Sequence, residues 1–358
     1  MKFTYDSIPL FKEGCQFNRN SPKDLLQYAI SGLLYMPAHR TQIVDEIIAG
    51  LHPCCSSICL DLEDSIGDGT VHQAELQLFE TLDKLNQALE TGQLDFDSLP
   101  LIFIRVRSSQ QFNQMLDHSS PDIFKLVSGF NFPKFDSTTA PAYLQVFDNF
   151  SKRTNQTFYI MPILESESIM KKNTRMEELL FISELLKPYK EQVLNIRVGA
   201  TDFSNIFGIR RNVHQTIYDV KLIADCLTDI LNIFSADYIC SGPVWEYFNS
   251  RFQDGNWAHG LKKELELDRL NGFIGKTCIH PSQLSLIAEN NIVSLEDYQD
   301  ALTILNTNQQ QIGVIKGYKE NRMNEMKPHS KWAKKIIQLA TVYGVAEGDN
   351  TKDNSLKS

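Results

Sequence analysis

The chain has 358 residues, 42% of them hydrophobic, 22% charged, and a formal net charge of −9. That is enough apolar material for a large core, and the length suits one α/β barrel with extensions or two average domains. Lys and Arg are spread along the chain rather than clustered, which argues against a nucleic-acid partner. Small acidic substrates held in a local basic pocket stay compatible.

The amino end, Met1 to Asn20, carries Asp6 and Glu13 and lacks the basic start and apolar run of a secretory signal. No apolar stretch approaches the roughly 20 residues that span a bilayer. A cytoplasmic protein without a membrane partner is expected. Cys15, Cys54, Cys55, Cys59, Cys226, Cys240 and Cys278 are odd in number and form no CxxC pair. They are expected as reduced, buried thiols rather than zinc ligands.

In chain order, short apolar runs predict strands at Leu33–Met36, Ser57–Asp61, Leu101–Arg105, Gly129–Pro133, Phe158–Leu164, Val193–Val198, Ala236–Cys240 and Gly272–Ile274. They lack clean alternation, as strands covered on both faces do. Amphipathic stretches lie between them, among them Glu75–Leu89, Met176–Leu186 and His214–Phe234. Eight β-then-α units predict an α/β fold, a closed (β/α)8 TIM barrel, over residues 30–305. Residues 1–29 form an amino-terminal extension. Residues 306–346 form a helical extension, polar over Asn308–Gln311 and periodic over Trp332–Tyr343. Residues 347–358 read as a disordered tail.

Active sites of such barrels sit at the carboxyl ends of the strands. The predicted ends are polar: His39-Arg40, Asp61-Leu62-Glu63-Asp64, Arg105-Val106-Arg107, Lys134, Glu165, Asp202 and Lys276. Glu165 and Asp202 follow neighbouring strands five and six. Together they suit a hard divalent cation completed by water and substrate oxygens. The rival reading makes them loop acids or, for Asp202, a helix cap. Arg105 and Arg107 are two apart, so along a strand they point the same way and one can grip a substrate carboxylate. The rival reading is a surface salt bridge. Asp61, Glu63 and Asp64 either orient a metal's waters or pair with bases such as Arg40 and Lys134. His280, beside Pro281, reads as well as a turn residue. No GxGxxG, P-loop or GxSxG motif is present.

Seven motifs in order carry a resemblance. Leu34-Tyr35-Met36-Pro37-Ala38-His39-Arg40, Leu60-Asp61-Leu62-Glu63-Asp64-Ser65, Ile104-Arg105-Val106-Arg107, Phe132-Pro133-Lys134, Ile163-Leu164-Glu165-Ser166, Val198-Gly199-Ala200-Thr201-Asp202 and Ile274-Gly275-Lys276-Thr277-Cys278-Ile279-His280-Pro281-Ser282-Gln283 resemble the citrate lyase β-subunit and the wider HpcH/HpaI aldolase group. The resemblance spans roughly residues 30–305. It implies Glu165 and Asp202 as ligands of Mg2+, or of Mn2+ in its place. Arg105 would meet the substrate carboxylate or a developing enolate, with Asp64 and Lys134 in the charged network around it. Arg40, Lys276 and His280 would hold an acyl carrier such as coenzyme A or shape that region, while Arg107 stays the second candidate for substrate contact from its strand position. A homo-oligomer, trimer or hexamer, is also implied. The tail, with Arg322-Met323-Asn324-Glu325, His329 and Tyr343-Gly344-Val345, resembles a carbon–carbon bond lyase branch from tellurium- and stress-resistance gene clusters. Glu63-Asp64-Ser65 stands where HpaI-type aldolases have Glu-His-Gly, so their histidine base is absent.

The expected reaction is carbon–carbon bond cleavage or condensation next to a carbonyl, through a metal-stabilised enolate, on a small carboxylate or acyl thioester. The base is not assigned; an acid of the tail such as Glu325 is one candidate. The alternatives are thioester hydrolysis on the same metal site and a non-catalytic scaffold.

Overall fold

A computed structural model describes residues 1–251, 255–307 and 312–348. Eight parallel strands form its centre: β1 (Gly32–Pro37), β2 (Ser57–Asp61), β3 (Leu101–Arg105), β4 (Val127–Phe132), β5 (Tyr159–Leu164), β6 (Ile196–Val198), β7 (Cys240–Ser241) and β8 (Lys276–Cys278). Neighbours in sequence are neighbours in the sheet, and β8 returns to pair with β1. Between β7 and β8 the barrel is joined by the Gly242–Lys276 bridge and by Ile274 N–H donating to the Cys240 carbonyl at 2.9 Å. The expected (β/α)8 barrel is the observed fold.

Side-chain alternation sorts the strand residues into two layers. Leu34, Met36, Ile58, Leu60, Ile102, Ile104, Phe130 and Phe132 face outward and pack with helix residues such as Leu78, Leu82, Phe112 and Phe147. The helix Val71–Glu90 supplies Ala74, Leu78, Leu82 and Leu85, the spacing of one apolar stripe. Leu33, Cys59, Leu101, Phe103, Tyr159 and Met161 face the other way. They join Phe3, Phe17, Ala340 and Tyr343 in a second core. The two ends of the chain thus meet beneath the strand starts: Phe3 stacks on Tyr343 at 4.7 Å, and Leu10–Lys12 pairs with Val345–Ala346. That leaves the opposite end of the barrel for a site.

The eighth strand departs from the reading Gly272–Ile274. Gly272 ends the helix Asn256–Asn271 in the left-handed region and Gly275 has φ +72°, so extended chain begins only at Lys276. The seventh is two residues long, and the expected helix His214–Phe234 is regular only from Lys221. All seven cysteines are free, five of them buried. No helix among the described residues is long and apolar enough to cross a membrane. Asn308–Gln311 and most of the expected tail, residues 349–358, lie outside the described residues.

Candidate active site

Strand ends β2 to β6 bring one charged cluster together. Arg105, the last residue of β3, is almost fully buried. It donates to Asp61 through Nε at 2.6 Å and Nη2 at 2.8 Å, a two-point clasp. Its Nη1 reaches Glu63 at 2.8 Å and Asp64 at 3.1 Å. Asp61 also accepts the Glu63 and Ser65 N–H groups, so the turn after β2 is folded around it. Burial works against ionising Asp61, but the Arg105 bonds win and hold its carboxyl below the ordinary range.

Lys134 follows β4 with φ +47°, a left-handed conformation that costs a non-glycine residue about 1–2 kcal/mol. That turn points its N–H at Glu165 Oε1, 2.8 Å away. Its ammonium bonds Glu63 at 2.6 Å and lies 3.8 Å from Asp202. Glu165, at the end of β5, is 4% exposed. Asp202 lies in the first turn of the helix Ala200–Ile206 after β6, so that it and Glu165 both meet Lys134. Burial, and then the neighbouring Asp202, push the Glu165 carboxyl up to about 8. Burial also raises Asp202, with Lys134 opposing.

Two adjacent acids that resist ionising together suit a cation that neutralises both. Among the described residues no group of three or more His, Cys, Asp and Glu is placed to hold a metal. A pair of carboxylates with open coordination positions fits Mg2+, which keeps several waters, and not a closed structural zinc site.

The family of C–C bond lyases of the TIM-barrel fold matches residues 24–345. The chain belongs to that family. No curated protein matches it. Its structure is similar to a citrate lyase from Burkholderia xenovorans, with a TM-score of 0.65 and 15% identity over 89% of this chain and 94% of that one. The protein CitE from Mycobacterium tuberculosis, in complex with magnesium, acetoacetate and coenzyme A, gives a TM-score of 0.56 and 17% identity over 90% and 99%. The Haloferax volcanii malate synthase complex with magnesium and glyoxylate gives 0.55 and 13% over 72% and 74%. At these identities the likeness establishes the fold.

The other expected site residues of this C–C bond lyase family member lie apart from the cluster. Arg107 falls two residues beyond the end of β3, outside the Arg105 cluster. It binds Asp68 and the Ile66 carbonyl instead. Arg40 pairs with Glu46 at 2.5 Å, and His52 reaches the same acid at 3.0 Å. His280 caps the turn Pro281–Gln283 and stacks flat on Phe248 at 4.6 Å. Lys276 departs furthest from its expected placement. It opens β8 rather than following it, and its side chain turns outward to Glu264 at 2.9 Å and Asp268 at 2.7 Å. It has no exposed surface. Glu325 lies in the hairpin Val314–Lys316/Met323–Glu325, where its N–H donates to His329 Nδ1.

Sequence reasoning passed over the polar residues inside the barrel: Tyr35, Asn131, Arg197 and Thr277. Asn131 donates to the Tyr35 hydroxyl at 2.9 Å, and Arg197 to Thr277 at 2.8 Å. The available signal was parity, since Asn131 and Arg197 are large polar residues within mostly apolar strands.

Proposed function

We propose that this protein is a Mg2+-dependent carbon–carbon bond lyase, or the corresponding condensing enzyme, acting next to a carbonyl of a small carboxylic acid or its coenzyme A thioester. The observation that carries the reading is the adjacency of Glu165 and Asp202 at one barrel mouth, with Arg105 and Lys134 beside them. The ligands named for the similar structures support it: magnesium with acetoacetate and coenzyme A in one, magnesium with glyoxylate in another.

Glu165 and Asp202 would hold Mg2+, or Mn2+ in its place. When bound there, the cation supplies Lewis-acid stabilisation of charge on a carbonyl oxygen. Arg105 contributes fixed positive charge, already oriented by Asp61 before any reaction. Glu63 ties Arg105 to Lys134, so the two cations keep a constant spacing. Asp64 presents the most open carboxylate of the cluster, with its side chain 56% exposed. In the cleavage direction it takes the substrate's hydroxyl proton. Arg40, Arg107 and His280 lie on loops after β1, β3 and β8, where they would contact the distal part of a substrate or its acyl carrier. The reading includes a homo-oligomer, trimer or hexamer, measurable by light scattering.

The test is calorimetric titration of Mg2+ into the wild type, Glu165→Gln and Asp202→Asn. It is followed by incubation with acetyl-coenzyme A plus glyoxylate, and with acetoacetyl-coenzyme A, read by mass spectrometry. Binding confined to the wild type, with a condensed or cleaved carbon skeleton, supports the proposal. Release of free acid and thiol alone would instead mark a thioester hydrolase. A wild type that takes up no Mg2+ sinks it.

A further inference from the structure

The helix Lys172–Leu186, in the connection after β5, is apolar on two sides. Leu179, Ile182 and Leu186 are buried against the barrel. Arg175 fixes that orientation: it is buried and bonds Asp225 and Asp229 of the helix Lys221–Phe234, at 2.8 Å each. On the outward side stand Met176, Leu180 and Phe181, and Leu222 lies on the adjoining helix one turn before Asp225. These four are 42% to 49% exposed. A helix in a barrel wall needs one apolar stripe, and a second one grouped with an apolar neighbour marks a contact surface.

The order of residues on the outward side says what the surface fits. Lys172, Met176, Leu180 and Glu184 follow one another at intervals of four, so they form a single ridge. The ridge has an exposed cation at one end, an exposed anion at the other and two large apolar side chains between them. Leu222 and Phe181 flank it. Such a ridge is its own complement when reversed. About a two-fold axis between Met176 and Leu180, Met176 meets the partner subunit's Leu180 and Lys172 meets the partner subunit's Glu184. Asn173 meets the partner subunit's Ser183. The pairing sets no like charges against each other, and each contact occurs twice, as an isologous interface requires. Within the chain Lys172 touches Asp225 at 3.3 Å and Glu184 touches Lys187 at 2.5 Å. Exposed pairs of this kind hold their side chains weakly, so both charges stay available.

We propose that the outward face of the helix Lys172–Leu186 is a subunit interface, an antiparallel two-fold contact with a second copy of this chain. It needs neither metal nor substrate and so stands apart from the catalytic reading. A two-fold contact builds even-numbered assemblies. Of the trimer and hexamer named above it selects the hexamer, two trimers joined through this helix. Acting alone it gives a dimer.

The test is the mass of the full chain by light scattering over a dilution series, with folding followed by circular dichroism. The wild type is expected to hold an even number of chains. Leu180→Asp should halve that mass and stay folded, because the side chain is exposed. Lys172→Glu sets like charges across the axis and should raise the dissociation constant by about tenfold or more, and Glu184→Lys likewise. The double variant Lys172→Glu/Glu184→Lys restores opposite charges across the axis and should recover wild-type assembly. If Leu180→Asp does not fold, the charge series decides: recovery in the double variant supports the proposal, and single variants without effect overturn it. Weakened single variants without recovery overturn the antiparallel pairing. A wild type of one or three chains, or a folded Leu180→Asp of undiminished mass, also overturns the proposal. Mg2+ uptake on the same samples separates the two readings: an even-numbered wild type that binds no Mg2+ keeps the interface and refutes the catalytic reading.

Discussion

Gly199 gives way to Glu165: a Cβ at position 199 would stand 2.0 Å from Glu165 Oε2 and 2.6 Å from its Cβ. The strand-end glycine is therefore the space into which the proposed metal ligand folds. Gly199→Ala should displace the Glu165 carboxyl and weaken Mg2+ binding by about tenfold or more, read by calorimetry. The overpacking should cost about 1–3 kcal/mol in urea unfolding, with the barrel retained. Wild-type affinity in Gly199→Ala would remove Glu165 from the ligand set.

The stability of the metal-free protein should depend on Glu165. Its folded-state value, about 8, lies above the roughly 4.3 of an unfolded glutamate. Between those values the native state keeps a proton that the unfolded chain has lost. Stability from this group is thus full below the unfolded value and falls as pH rises toward about 8. Urea unfolding at several pH values should show wild type losing stability relative to Glu165→Gln across that window. Mg2+ requires the ionised form, so binding near neutral pH should release protons. The binding enthalpy should then change with the buffer's ionisation heat.

Arg105 is expected to be structural as well as functional. Arg105→Met leaves Asp61, 1% exposed, without its counter-ion and should cost about 3–5 kcal/mol in chemical denaturation. Arg105→Lys keeps the charge but loses the two-point clasp, for a smaller loss of about 1–2 kcal/mol. A thermal midpoint unchanged in Arg105→Met would contradict the described pairing.

Lys276 should report on stability and not on ligand binding. Lys276→Met leaves buried Asp268 without its counter-ion and Glu264 with only the longer ion contact to Arg211, 3.4 Å, again a loss of about 3–5 kcal/mol. Adding Glu264→Gln and Asp268→Asn to Lys276→Met should recover most of it. Mg2+ affinity should stay at the wild-type level throughout. Weakened Mg2+ binding in a folded Lys276→Met would return this residue to the site.

Apolar runs and their polar ends are local patterns, so the sequence by itself determined that eight strands alternate with helices and that acids and bases sit where strands stop. Asp61, Glu63, Asp64, Arg105, Lys134, Glu165 and Asp202 were all legible in this way. Which of these groups touch was not, because Arg105 and Asp61 are 44 positions apart and only barrel closure brings them together. Direction was equally hidden: with alternating side chains, a shift in where a strand begins or ends turns a residue to another face. That separates Lys276, which faces a helix, from Thr277, which faces the interior. The interior set of Tyr35, Asn131 and Arg197 comes from three strands, each unremarkable alone. Only the folded barrel brings Asn131 to the Tyr35 hydroxyl and Arg197 to Thr277, and only there does an arginine with no ion-pair partner among the described residues become visible.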